Sequence, residues 1–132
     1  MRSAPFLSLS LLLVLAISTS IHAAEPTPHS LPEVQKTLKE KKGILLDVRE
    51  KQEWDRGHID GAVLMSMSVL QDDDVAETLK SLPKDKVIYT YCAVGRRAAY
   101  CATLLAEQGY QVQPLKLGYK DLIGAGFPQA ME

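Results

Sequence analysis

The chain predicts an α/β domain: a mostly parallel central sheet flanked by helices on both faces. Two observations lead there. Runs rich in β-branched, aromatic and leucine side chains at 44–48, 62–65, 87–91 and 110–115 alternate with stretches of helical periodicity, which calls for crossover connections of the right-handed βαβ kind. The run at 44–48 is apolar at nearly every position, as a strand covered on both faces should be.

Residues 1–24 carry the three parts of a secretory signal peptide: a basic residue, Arg2, an apolar run over 7–17, and the small residues Ala23 and Ala24. The apolar run is short for a bilayer span. Cleavage near Ala24 is expected, giving a periplasmic or secreted protein; an uncleaved anchor is the alternative. Net charge is −1 and the leader holds only one charged residue, so nothing basic enough for nucleic acid or a polybasic membrane contact remains.

Residues 25–43 read as a linker marked by Pro26, Pro28 and Pro32 and then the domain's N-terminal helix; 44–132 form the rest of the domain. Ser30 and Glu33 make a capping box for a helix ending near Lys42, with Leu31, Val34 and Leu38 as its apolar face. After the first strand, 50–55 is a short helix stopped by Gly57, and 62–65 a second strand. Residues 68–82 read as one helix with Val75, Leu79 and Leu82 on a common face. Its acidic run Asp72, Asp73 and Asp74 complements a helix start better than it makes a metal site, which would need more converging ligands. Pro114 places the last strand, 110–115, at an edge or makes it end there.

The chemistry centres on residues 87–97. A strand runs into Cys92, and a run of small residues behind it, closed by Gly109, reads as a helix over 98–108. Cys92 therefore stands at the carboxyl end of a strand and before a helix N-terminus, where ligands bind open α/β sheets and unpaired N–H groups favour a thiolate. Gly95 lets the backbone curl, and Arg96 and Arg97 add permanent positive charge, so Cys92, Ala93, Val94, Gly95, Arg96 and Arg97 describe an anion cradle.

The run from Cys92 to Arg97 resembles the C-x-x-G-x-R active-site loop of rhodanese-type sulfurtransferases. Upstream, Leu45-Leu46-Asp47-Val48-Arg49-Glu50, Glu53-Trp54 and Gly57-His58-Ile59-Asp60-Gly61-Ala62 resemble that family's L-D-V-R, E-[FWY] and G-H-I-x-G-A segments; downstream, Gly118-Tyr119 and Gly126-Phe127-Pro128 resemble its closing segment. The resemblance implies a rhodanese-like fold and a sulfurtransferase. Cys92 would take the outer sulfur of a donor such as thiosulfate, hold it as a persulfide and hand it to cyanide or a thiol, including a protein thiol. Loop N–H groups from Ala93 to Arg97 would steady the persulfide, with Arg97, assisted by Arg96, holding the charged donor. No metal or organic cofactor is called for.

Two rivals stand beside this reading. Phosphatases and arsenate reductases use a cysteine loop with arginine six residues on, where this chain has Ala98; the shorter ring suits sulfur better than a tetrahedral oxyanion. A sulfur carrier or binding module with weak turnover would use the same loop. Leu117 and Leu122 depart from the family's paired glycine and frequent aromatic, so the pocket wall differs. Asp47, Arg49, Glu53 and His58 are read as structural ion pairs and turn bonds, and Trp54 as core. Cys101 shares a helix face with Ala98, Leu105 and Gln108 and is read as core, too far along the helix to reach Cys92, so both thiols are expected free.

Overall fold

In a computed structural model of the chain, residues 27–131 are described, and the leader expected over 1–24 lies outside them. Four parallel strands in the order β2-β1-β3-β4 make the sheet: β1 is Gly43–Asp47, β2 Val63–Leu64, β3 Val87–Tyr91 and β4 Val112–Pro114. The α/β expectation holds. No helix among the described residues is long and apolar enough to cross a membrane.

Alternation along the strands builds two cores. Leu46, Val48 and Ile88 face one side, where Leu70, Leu79, Leu82, Ala98, Cys101 and Leu105 cover them; Leu45, Tyr89 and Tyr91 face the other, against Val34, Ile59, Leu115, Leu122 and Phe127. Each large apolar side chain so buried is worth about 1.5–3 kcal/mol before conformational entropy is charged against it. The two sides are supplied by different helices. The second core takes α1 (Leu31–Lys39) and α6 (Tyr119–Gly124), and the first takes α3 (Met67–Leu70), α4 (Val75–Leu79) and α5 (Arg96–Glu107), while α2 (Lys51–Trp54) buries no residue.

Helix α1 starts as the capping box requires: the Ser30 N–H donates to Glu33 Oε2 at 2.6 Å, and the Glu33 N–H donates to Ser30 Oγ at 3.4 Å. It stops at Lys39 instead of Lys42, because Gly43 already pairs with Val87 in the sheet and the chain turns through Lys41 at φ 58° to reach it.

The single helix expected over 68–82 is two short ones, α3 and α4. Between them the Asp74 N–H donates to Asp72 Oδ1 at 3.1 Å, a local side-chain bond that competes with the helical ladder. Val75, Leu79 and Leu82 still reach the core. Strand β4 is the sheet's edge, as Pro114 implied, and the Pro114 carbonyl accepts the Thr27 N–H at 3.1 Å. Two side chains lie elsewhere than expected: Gln108 is exposed, and Trp54 is half-buried and stacked on His58 with ring centroids 3.5 Å apart, outside both cores.

Candidate active site

Strands β1 and β3 are neighbours at the centre of the sheet, and the chain leaves them in opposite directions, towards β2 and β4. That is a topological switch point, where the loops beyond the strand ends part to leave a crevice. The Val48 N–H donates to Tyr91 O at 3.0 Å, so the segments leading to Arg49 and to Cys92 emerge side by side.

Cys92 follows β3 directly. Its Sγ accepts the Gly95 N–H at 3.0 Å and the Ala98 N–H at 3.4 Å. The loop thus folds around the sulfur, with one donor from the turn and one from the first turn of α5, where the helix dipole adds positive potential. Gly95 makes this possible at φ 91°, and a Cβ there would lie 2.6 Å from the Lys116 carbonyl oxygen. The Thr90 hydroxyl donates to Ala98 O at 2.9 Å and ties the helix start back to the strand. From the other side, the Tyr119 N–H donates to Cys92 O at 2.8 Å, and Gly118 packs so closely that a Cβ on it would stand 1.7 Å from the Ala93 carbonyl oxygen. Cys92 itself has no exposed surface, whereas Ala93 and Val94 are open to solvent.

The two arginines of the loop part company. Arg97 is engaged by Glu53 of α2 in a bidentate pair, 2.6 Å from one nitrogen and 2.7 Å from the other. This pair raises the guanidinium's pKa further and draws Glu53 down to about 2, the Arg97 hydrogen bond being the main cause. Arg96 is exposed and lines a shallow hollow of about 270 Å³ with Val94, Gly95 and Lys116. The larger cleft, about 510 Å³, is lined by Ala93 and Val94 together with Arg49, Glu53, Arg56, Tyr119 and Lys120.

Asp47 and Arg49, expected to be structural, form a buried pair: Arg49 nitrogens lie 2.6 and 3.0 Å from Asp47 Oδ2. Arg49 also donates to Gly57 O at 2.9 Å, and its guanidinium lies 4.2 Å from the Tyr119 ring centroid, so the pair supports the cleft wall from beneath. Burial, followed by the nearby Asp47, pushes the Tyr91 hydroxyl well above its usual range. Cys101 lies in the core as expected, and burial, with Cys92 adding to it, pushes its thiol up to about 12. Both cysteines are free. Among the described residues no cluster of metal-ligating side chains occurs.

Glu53's depressed pKa has a sign that can be measured. Its contribution to stability is fully present above the ordinary value of 4.5 and is lost as pH falls through about 2. Each partner is about a third exposed or less, 27% and 31%, so after screening the pair is worth about 1 kcal/mol. Urea titrations of the parent chain and Glu53→Gln should differ by that amount at neutral pH and converge in strong acid.

The residues that sequence reasoning passed over are the Ala98 N–H, Arg56 and Lys120. Ala98 was legible only as a small residue on a buried face; the two cations lie outside the loop, Arg56 in the turn after α2 and Lys120 on α6.

Comparison with known proteins agrees with this geometry. The model of the Rhodanese-like domain family matches residues 30–125. The chain is 37% identical over 70 residues to the probable adenylyltransferase/sulfurtransferase MoeZ of Mycobacterium tuberculosis, covering 53% of this chain and 17% of that one. It is 31% identical over 125 residues to the tRNA uridine(34) hydroxylase of Protochlamydia amoebophila, covering 90% of this chain and 38% of that one. This chain therefore spans well under half the length of either. Among solved structures, the human single-domain sulfurtransferase TSTD1 superposes with a TM-score of 0.61 at 28% identity, covering 76% of this chain and 97% of that chain. With a family model matched over most of its length, the chain belongs to the rhodanese-like domain family.

Proposed function

We propose that the protein is a sulfurtransferase in which Cys92 carries the sulfur. The observation behind this reading is the Cys92 sulfur held at the end of β3 by the N–H groups of Gly95 and Ala98. The thiolate attacks the outer sulfur of thiosulfate; the sulfur–sulfur bond of the donor breaks, sulfite leaves with the electron pair, and Cys92 is left as a persulfide anion. The same N–H groups then face a charge displaced outward by one sulfur, which they and the α5 dipole stabilise. Cyanide or a thiol attacks the outer sulfur, and the Cys92 thiolate is the leaving group. Entry requires the exposed Ala93–Val94 segment to shift, since Cys92 is covered in the resting loop. The bidentate Glu53 pair makes Arg97 a brace of the loop and offsets its positive charge.

That cover also favours a second reading, a sulfur carrier that opens for a partner and turns over slowly. Thiocyanate formation across a series of cyanide concentrations separates the two, because a carrier would support it only weakly. The sequence of residues 1–24 supports export to the periplasm or medium, for which fractionation and the N-terminal mass are the checks.

The direct test is the intact mass of the protein before and after thiosulfate. Gain of one sulfur atom's mass, lost again on adding cyanide, is the expected result. No adduct, or an adduct mapped to Cys101, would sink the persulfide mechanism.

A further inference from the structure

Helix α5 begins without an ordinary cap. Gly95 stands at its N-cap and has no side chain to offer the first N–H groups. Ala98, the third helical residue, gives its N–H to the Cys92 sulfur, and the first bond of the helical ladder, from the Ala99 N–H to Gly95 O at 3.1 Å, comes one residue later. The sulfur thus fills the place of a capping oxygen, which makes the cap itself a reactant. When Cys92 takes up sulfur its charge moves outward by one atom, and on discharge the charge returns. The contact that holds the helix start therefore changes strength twice in each turnover.

A second bond on the same residue stays constant. The Thr90 hydroxyl donates to the Ala98 carbonyl at 2.9 Å. Thr90 lies two residues before Cys92 and has no exposed surface; strand alternation puts it on the face of Ile88 and Cys92, both part of the apolar core under α5. A valine has the same branched shape and would extend that core without a polar atom. Nor does the carbonyl need the hydroxyl, because an α-helix already gives it the N–H four residues on, from Ala102. What the hydroxyl adds is a fixed spacing between the strand that carries Cys92 and the residue whose N–H grips the sulfur.

Resting on the reading of Cys92 as the sulfur carrier, we propose that Thr90 is a positioning residue for sulfur transfer. Acting through Ala98, it keeps the N–H donor aimed while the Cys92 sulfur passes between thiolate and persulfide. It touches neither donor nor acceptor. The donor is held where negative charge develops and is not re-aimed at each step.

The test follows single-turnover sulfur uptake from thiosulfate by intact mass in the parent, Thr90→Val and Thr90→Ser. Valine keeps the shape and loses the bond; serine keeps the bond and loses a methyl group. Thr90→Val should lower the rate constant at saturating thiosulfate about tenfold, less than the ~10²–10³ for deleting a donor outright, because the N–H is loosened and not removed. The thiosulfate concentration giving half the maximal rate should stay within about twofold of the parent's. Thr90→Ser should recover most of the rate although its small cavity makes it the less stable variant in urea. A merely structural role would rank the two in the opposite order. Amide hydrogen exchange should quicken at Ala98 in Thr90→Val and stay unchanged at Leu105, further along the helix. Sulfur uptake by Thr90→Val as fast as the parent's, or Thr90→Ser as slow as Thr90→Val, would overturn this inference and leave the sulfurtransferase reading standing. Failure of the parent to take sulfur onto Cys92 would overturn both.

Discussion

A Cys92→Ser protein should take up no sulfur from thiosulfate and lose sulfur transfer by about 10³-fold or more. Serine is the informative replacement because its oxygen can still accept from the Gly95 and Ala98 N–H groups that hold the cysteine sulfur. The loop should therefore survive, and urea unfolding should stay within about 1–2 kcal/mol of the parent. A hydroxyl at neutral pH lacks the anionic, polarisable sulfur the displacement requires. Cys101 cannot stand in, since burial holds its thiol protonated with a pKa of about 12. Intact mass and a thiocyanate assay on the same sample check the result; a variant that still gains sulfur would remove Cys92 from the mechanism.

Arg49→Met should be among the most destabilising single changes in the domain, costing about 3–5 kcal/mol in urea unfolding. Asp47 has no exposed surface, and its carboxylate is held by Arg49 side-chain nitrogens at 2.6 and 3.0 Å and by the Arg49 backbone N–H at 2.9 Å. Removing the cation strands a charge in the sheet, which costs far more than the pair contributes relative to an apolar replacement. The double change Asp47→Asn/Arg49→Met should consequently recover much of the loss. Equal instability of the single and double variants would show that Arg49 matters through packing, on Tyr119 and the Gly57 carbonyl, and not through charge.

What could be read from the sequence was whatever is decided within a few residues. The strand into Cys92, the small-residue helix behind it, the Ser30 capping box and the edge character of the Pro114 strand all follow from local pattern and backbone chemistry. The single helix over 68–82 failed at the same range, because periodicity saw Val75, Leu79 and Leu82 while a carboxylate–backbone bond at Asp72 broke the ladder between them. Long-range partners were another matter. Glu53 and Arg97 are charges of opposite sign in a chain full of them, and only the fold, which brings α2 near the start of α5, makes them a pair. Arg56 and Lys120 were silent for the same reason: exposed cations far apart in the chain, one in a turn and one on α6, carry no pattern until a fold brings them to one cleft. Trp54 misled in the opposite sense, since its size suggested core and its partner is the neighbouring turn's His58.

Where Gly118 meets Ala93, main chain lies directly on main chain, with the Tyr119 N–H fastening the adjacent Cys92 carbonyl. The ring around Cys92 is thereby roofed by something that has no rotamer to yield. A residue inserted between Cys92 and Arg97 would have nowhere to bulge on that side without lifting α6 off the sheet and uncovering Leu122. The ring's circumference is thus a property of the neighbouring helix as much as of the loop, and acts as a gauge. A change of chemistry towards larger oxyanions would have to begin at residue 118, on a segment that carries no nucleophile.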